Sequence, residues 1–312
     1  MIERVEALLG ARVVSSDPVH GRGYTHNRRE RVRLDDGRSV FVKAAVDDLS
    51  AGWLRLEHVV YAGVAGPFMP GLLGYDEKSG LPLLVLEDLS EAHWPPPWRE
   101  GDIDQVRSTL EAVAATPAPD GLTPIGDWKA EWLSCWRAVR DDPEPFLATG
   151  VASREWLESN LPALEAAAER APVADGSSLL HLDVRSDNLA LTDRGAVLID
   201  WNWASGGNPL LDLVAWAPSL SIETGMQPDD VVDAEGVGEM AALIAGVWAS
   251  VAGLPPPPTA EQRLRDAQLA ALRVCLPWAC RRLGIEEPSG AEGDAVFRPG
   301  VGGSAADASS PG

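Results

Sequence analysis

Up to about residue 86, apolar and polar positions mostly alternate; beyond residue 100 the apolar ones recur every three or four. Residues 11–17 and 28–34 read as strands. Asp35-Asp36-Gly37 is a turn, and Ser39–Ala44 alternates, with Val40, Val42 and Ala44 on one face and Phe41, Lys43 and Ala45 on the other. A helix begins near Ser50, a plausible N-cap, with Trp53, Leu56 and Val60 at helical spacing. Leu72–Tyr75 and Leu83–Leu86 are strands about the turn Glu77–Gly80. A Trp/Pro-rich connection, Trp94-Pro95-Pro96-Pro97-Trp98, then separates this strand-rich part from a mainly helical one. There Ile103, Val106, Leu110 and Val113 keep the helical period, and Trp128, Trp132 and Trp136 recur every four residues. Residues 152–170 predict a helix interrupted near Pro162. Short strands 189–192 and 196–199 flank the turn Asp193-Arg194-Gly195. Further helices run from Asp212, near 236–251 and at 260–283, the last two separated by four prolines, Pro255–Pro258. From Glu286 the chain turns to Gly, Ser, Ala, Asp and Pro, a composition that builds no core and reads as a disordered tail. The pattern predicts an α+β chain: a small antiparallel-sheet unit over 1–88, a larger helical unit over 89–285, and a tail over 286–312.

One stretch carries more chemistry than the rest. His181-Leu182-Asp183-Val184-Arg185-Ser186-Asp187-Asn188 spells H-x-D-x-x-x-x-N, and Asp200 closes the next hairpin. Phosphoryl transfer from ATP needs this set: one carboxylate to meet the acceptor hydroxyl, and an amide and a second carboxylate to hold Mg²⁺ on the phosphates. Arg185 is placed to reach the transferring phosphoryl, or to form an ion pair with Asp187 or another local acid. His181 reads as a core histidine supporting the loop, and Asp212 as a buried carboxylate accepting main-chain N–H groups of that loop.

The first unit offers partners. Gly21 and Gly23, between the first two strands, would let backbone N–H groups approach phosphate oxygens, although no full G-x-G-x-x-G is present. Lys43 sits inside an apolar strand in a chain with only two other lysines, Lys78 and Lys129. That rarity suggests a lysine kept for its compact charge. Glu57, bordering the apolar stripe of the next helix, wants a cation, and Lys43 is the natural candidate.

In this order the glycine loop, Phe41-Val42-Lys43, Glu57, Val85-Leu86-Glu87, His181-Leu182-Asp183…Asn188 and Ile199-Asp200-Trp201 resemble the aminoglycoside phosphotransferase and choline kinase-like family. The resemblance runs over roughly residues 10–283. It implies a bilobal protein-kinase-like fold and transfer of the ATP γ-phosphoryl group to a small-molecule hydroxyl. It implies Asp183 as the catalytic residue, Asn188 and Asp200 as Mg²⁺ ligands, Lys43 on the phosphates with Glu57 as its partner, and main-chain groups of Glu87 to Leu89 on the adenine edge. The family's usual His-Gly-Asp is His181-Leu182-Asp183 here, and Arg185 replaces a frequent His.

Composition narrows the partners. A formal net charge of −21 argues against nucleic acid and is compatible with a cationic small substrate. No run of about 18 apolar residues predicts a membrane span. The charged start Met1–Glu6 and three cysteines without metal spacing lead us to expect a cytoplasmic protein. Asp212 lies 12 residues after Asp200, too few for the long activation segment of a protein kinase. The acceptor expected is an antibiotic, of aminoglycoside or nucleoside type, or a related natural product. The alternatives are a metabolite such as choline, homoserine or a sugar, or a non-catalytic nucleotide-binding role. The tryptophan stripe serves either as core or as an aromatic wall for the acceptor.

Overall fold

Five antiparallel strands form one sheet in the first third of the chain, and helices dominate the remainder, in a computed structural model that describes residues 1–19, 27–78, 80–257 and 262–289. Gly21 and Gly23, and the tail beyond residue 289, lie outside the described residues. The strands are β1 (Val13–Pro18), β2 (Arg28–Leu34), β3 (Ser39–Ala44), β4 (Leu72–Asp76) and β5 (Leu83–Glu87), in the spatial order β1-β2-β3-β5-β4. Register sorts their faces. Val42 opposes Val85 and Val32 opposes Val40, and these side chains pack with Val5 of helix α1 (Ile2–Leu9) in a small core of their own. Lys43 opposes both Arg29 and Leu84 on the other face.

Helix α2 (Asp48–Gly63) crosses that second face. It starts earlier than the sequence suggests, because Asp47 is the cap. The Asp47 carboxylate accepts the Ser50 N–H at 2.8 Å, and the Ser50 hydroxyl accepts the Asp47 N–H at 3.0 Å. This reciprocal capping box moves Ser50 into the first turn. The helix is also rotated from expectation. Leu54, Glu57, Val60 and Tyr61 are its buried side, while Trp53 and Leu56 are only partly covered, since Glu57 turns inward to Lys43.

After β5 come α3 (Asp102–Ala114), α4 (Ile125–Asp141), α5 (Glu144–Ala148) and α6 (Arg154–Arg170). Next are four short strands: β6 (Ser178–Leu180), β7 (Leu189–Thr192), β8 (Gly195–Leu198) and β9 (Ser205–Gly207). The chain then forms α7 (Leu210–Thr224), α8 (Pro228–Val231), α9 (Val237–Val251) and α10 (Gln262–Leu283). Helix α6 runs continuously through Pro162, contrary to the expected interruption. The cost of one lost backbone hydrogen bond is offset by its buried stripe Leu157, Leu161, Leu164 and Ala168. Helix α9 is the hub against which α4, α6 and α10 pack. Its small residues admit Trp136: a Cβ on Gly246 would lie 2.5 Å from the Trp136 Nε1, and that indole N–H donates to the Ala242 carbonyl at 2.8 Å. The tryptophan stripe is therefore divided. Trp136 is core, whereas Trp128 packs edge-on against the exposed Trp203, with ring centroids 6.0 Å apart.

Candidate active site

Strand β6 pairs with β9 and ends at Leu180, which hands the chain to His181-Leu182-Asp183. The loop is held from below by Asp212 at the start of α7. Its two carboxylate oxygens accept the His181 N–H at 2.8 Å and the Leu182 N–H at 2.7 Å. This is the structural role the sequence suggests for it. Leu182 takes a left-handed φ of 62°, a conformation that suits glycine better than leucine. The family's usual glycine at this position has that physical reason, and here the Asp212 bond fixes the backbone instead. The buried His181 ring donates from Nε2 to the Ile199 carbonyl at 2.8 Å and accepts the Asp183 N–H on Nδ1 at 3.3 Å. Burial pushes its pKa down to about 4, against the pull of the Ile199 carbonyl. A neutral, fully engaged imidazole braces the loop and does no acid–base work near neutrality.

Asp183 and Asn188 face each other across the loop. The Asn188 amide nitrogen donates to the Asp183 carboxylate at 2.7 Å and to its carbonyl at 3.0 Å. Arg185 Nε lies 3.0 Å from Asp183 and 3.2 Å from Asp187, so it pairs with both local acids. Burial pushes Asp183 up to about 7; Arg185 and the Asn188 bond oppose the rise, and the charges of Asp187 and Asp200 reinforce it. Glu223 in α7 is invisible as a site residue in the sequence. It accepts the Ser186 hydroxyl and, at 2.8 Å, the Trp98 indole N–H, tying the 181–188 loop to the Trp/Pro connection. A separation of 125 residues between Trp98 and Glu223 gives no local signal of that link.

Lys43 is enclosed by acids. Its ammonium donates to Glu57 and, at 2.6 Å, to Asp200. Both Lys43 and Glu57 are buried. Burial alone would lower Lys43, but the charges of Asp200 and Glu57 outweigh it and hold its pKa above the usual lysine range. Burial likewise drives Glu57 up to about 7 against the pull of Lys43. Asp200 goes the other way: Lys43 and Arg29 overcome its burial and keep it ionised. Asp200 also has a left-handed φ of 64°, which a short polar side chain tolerates better than most. Arg29 does not stand out in the sequence. Its Nη2 comes within 3.9 Å of Asp200.

These groups open on one cavity of about 230 Å³, lined among others by Arg29, Phe41, Lys43, Glu57, Leu86 to Ser90, Asn188 and Asp200. Asp183 stands one hydrogen bond beyond it, through Asn188. At the far end, the Leu89 carbonyl is already taken by Ala92 N–H and the Trp94 indole, both at 3.1 Å, and the Glu87 N–H donates to Gly71. The Glu87 side chain points elsewhere. It receives two guanidinium bonds of 2.7 Å from Arg194 in the β7–β8 turn and the Gly71 N–H at 3.1 Å, a stitch between the sheet and the hairpin that carries Asn188 and Asp200.

The donor set suits a hard cation shared with a substrate. Among the described residues, no cluster of three or more His, Cys, Asp or Glu could hold a metal alone. The Asn188 nitrogen is spoken for by Asp183, which leaves its oxygen, and Asp200 adds an anionic group on the same cavity. Two protein oxygens completed by water and phosphate fit Mg²⁺, which dehydrates reluctantly.

Residues 25–254 match the protein-family model described as the phosphotransferase enzyme family. No curated protein matches the chain. Among solved structures, a choline/ethanolamine kinase family protein from Mesorhizobium loti is 13% identical over 91% of this chain and 98% of that one, with a TM-score of 0.60. A macrolide 2'-phosphotransferase from Brachybacterium faecium is 16% identical over 86% and 95%, with a TM-score of 0.54. A macrolide 2'-phosphotransferase type I is 16% identical over 91% and 92%, with a TM-score of 0.50. The fold shared with them is protein-kinase-like.

Proposed function

Because this chain belongs to the phosphotransferase enzyme family, we propose that it transfers the γ-phosphoryl group of ATP to a hydroxyl of a polar small molecule. The observation that carries this reading is the convergence of Lys43, Asn188 and Asp200 on one cavity, with Asp183 a single hydrogen bond beyond it. In this account Lys43, oriented by Glu57, meets phosphate oxygens as a point charge. Asn188 and Asp200 hold Mg²⁺, which when bound neutralises charge on the phosphates. The Leu89 N–H, without a partner among the described residues, is the main-chain donor for the adenine edge.

Asp183 accepts a hydrogen bond from the acceptor hydroxyl and points its oxygen at phosphorus. The acceptor O–P bond forms, the bond from phosphorus to the ADP oxygen breaks, and the acceptor proton passes to the Asp183 carboxylate. Arg185, 3.0 Å from Asp183, is within reach of the moving phosphoryl as charge gathers on its oxygens. Gly21 and Gly23, which the sequence offers as a phosphate-approaching turn, lie outside the described residues. For the acceptor we favour an antibiotic or related hydroxylated natural product over a metabolite. Structures with this fold include macrolide phosphotransferases and a choline/ethanolamine kinase family protein, and the fold alone does not select between them.

The test is a Mg²⁺-dependent transfer screen with ATP and pooled aminoglycosides, macrolides, nucleoside antibiotics, choline, homoserine and sugars, read by mass spectrometry. A product heavier by one phosphoryl group, absent with Asp183→Asn, is expected. ATP left unconsumed in every pool would overturn the reading.

A further inference from the structure

Strand β2 turns two arginines into the nucleotide cavity. Arg29 and Arg31 both line it, while Glu30, Val32 and Leu34, on the alternate positions, are buried on the other side. Arg31 is committed toward the segment after β5, its Nε 3.5 Å from the Asp88 carboxylate. Arg29 stands at the opposite end. It is the cross-strand partner of Lys43, so guanidinium and ammonium project from the same face as direct neighbours. Both reach one carboxylate: Lys43 Nζ lies 2.6 Å from Asp200 Oδ1, and Arg29 Nη2 lies 3.9 Å from Oδ2.

Two like charges side by side on a sheet repel. A guanidinium whose side chain is only 12% exposed is costly to keep without anions around it. If the cleft had only a purine to cover, an apolar side chain would serve better at this position. Asp200 faces both cations and Glu57 faces Lys43. A triphosphate arriving with its divalent cation adds net negative charge at the place where the two cations meet. Arg29 can then meet two phosphate oxygens at once through its planar fork, whereas the Lys43 ammonium already donates two of its three N–H groups to Glu57 and Asp200.

We propose that Arg29 is a second phosphate-binding cation, acting beside Lys43 on the triphosphate of the bound nucleotide. The inference rests on the function proposed above. It makes this pocket selective for the polyphosphate over the nucleoside, through a residue on β2.

Calorimetric titration tests it, with the Mg²⁺ complex of a non-hydrolysable ATP analogue and, separately, with adenosine. The proteins are the wild type, Arg29→Met, Arg29→Lys and Arg33→Met, the last removing the same charge from an exposed position of the same strand. Arg29→Met is expected to weaken the analogue by about tenfold or more and to leave adenosine within about twofold, since only phosphate contacts are lost. Arg29→Lys should fall between, having kept the charge and lost the fork. Arg33→Met should bind as the wild type does. Equal analogue affinity in Arg29→Met and wild type overturns the inference. So does a parallel loss of adenosine, which marks a structural role. A wild type that binds neither ligand overturns the kinase reading itself, a different failure from the other two.

Discussion

Lys43→Met is the perturbation whose cost can be worked out most fully. Methionine keeps the length and the apolar stem and removes the ammonium that Glu57 and Asp200 share. Breaking a buried ion pair typically costs about 3–5 kcal/mol, because one charge is left uncompensated. Glu57 has a cheaper route, since burial already holds its pKa up at about 7 with Lys43 as the main opposing influence. Without Lys43 the pKa rises further and the group takes up a proton. A carboxyl whose folded pKa is raised favours folding below its unfolded pKa. That contribution falls by about 1.4 kcal/mol per pH unit until the folded pKa is reached, and is level beyond it. In the wild type the decline ends near pH 7; in Lys43→Met it continues. The stability gap should therefore be smallest at pH 6 and widen by about 1.4 kcal/mol between pH 7 and 8. Urea unfolding monitored by tryptophan fluorescence at pH 6, 7 and 8 measures this, with Lys43→Met/Glu57→Gln as the variant that should lose the extra pH dependence. A gap constant across that range, or a double variant as pH-sensitive as the single one, would refute the reasoning. Transfer activity should drop by orders of magnitude even at pH 6, where stability changes least.

Asp200→Ala should abolish transfer and Asn188→Ala weaken it strongly, each removing an oxygen for Mg²⁺, while thermal melts show both proteins folded. Asp212→Ala orphans two buried N–H groups at about 1–3 kcal/mol each, so a loss of about 2–6 kcal/mol in chemical denaturation is expected; a change under about 0.5 kcal/mol would mean that the loop does not depend on it. Asp183 must be ionised to accept the proton, so kcat/KM should rise with pH through about 7, and a flat profile from pH 5.5 to 8.5 would remove it from that role.

Much of the site is legible in the sequence because its groups lie close along the chain. His181 to Asn188 is one turn of loop, and a short hairpin separates it from Asp200's bend. Alternation in Ser39–Ala44 suffices to aim Lys43 at the cleft, and a carboxylate on a helix stripe suffices to pair Glu57 with it. What stays hidden is set by partners distant in sequence. Arg29 looks like any arginine of a charged strand until β2 and β3 are in register. Glu87 reads as the end of an apolar strand, and its grip on Arg194 spans 107 residues. Spacing alone cannot divide Trp128 from Trp136, because every-fourth-residue recurrence says which side of α4 they share and not how far along it the protein surface begins. Helix α1 is missed for a related reason: Val5 is its one buried residue, too little for a periodic signal.

The separation of nucleotide binding from transfer is the most direct measurement of the central claim. In Asp183→Asn, shape and the contact with Asn188 are conserved and the charge is gone, while the cavity lined by Lys43, Asn188 and Asp200 is left as it was. Calorimetry with a non-hydrolysable ATP analogue and Mg²⁺, run beside the product assay, should give an affinity within a few-fold of wild type and a transfer rate lower by orders of magnitude. Affinity and rate falling together, or a rate close to wild type, would contradict the assignment of Asp183 to the acceptor hydroxyl.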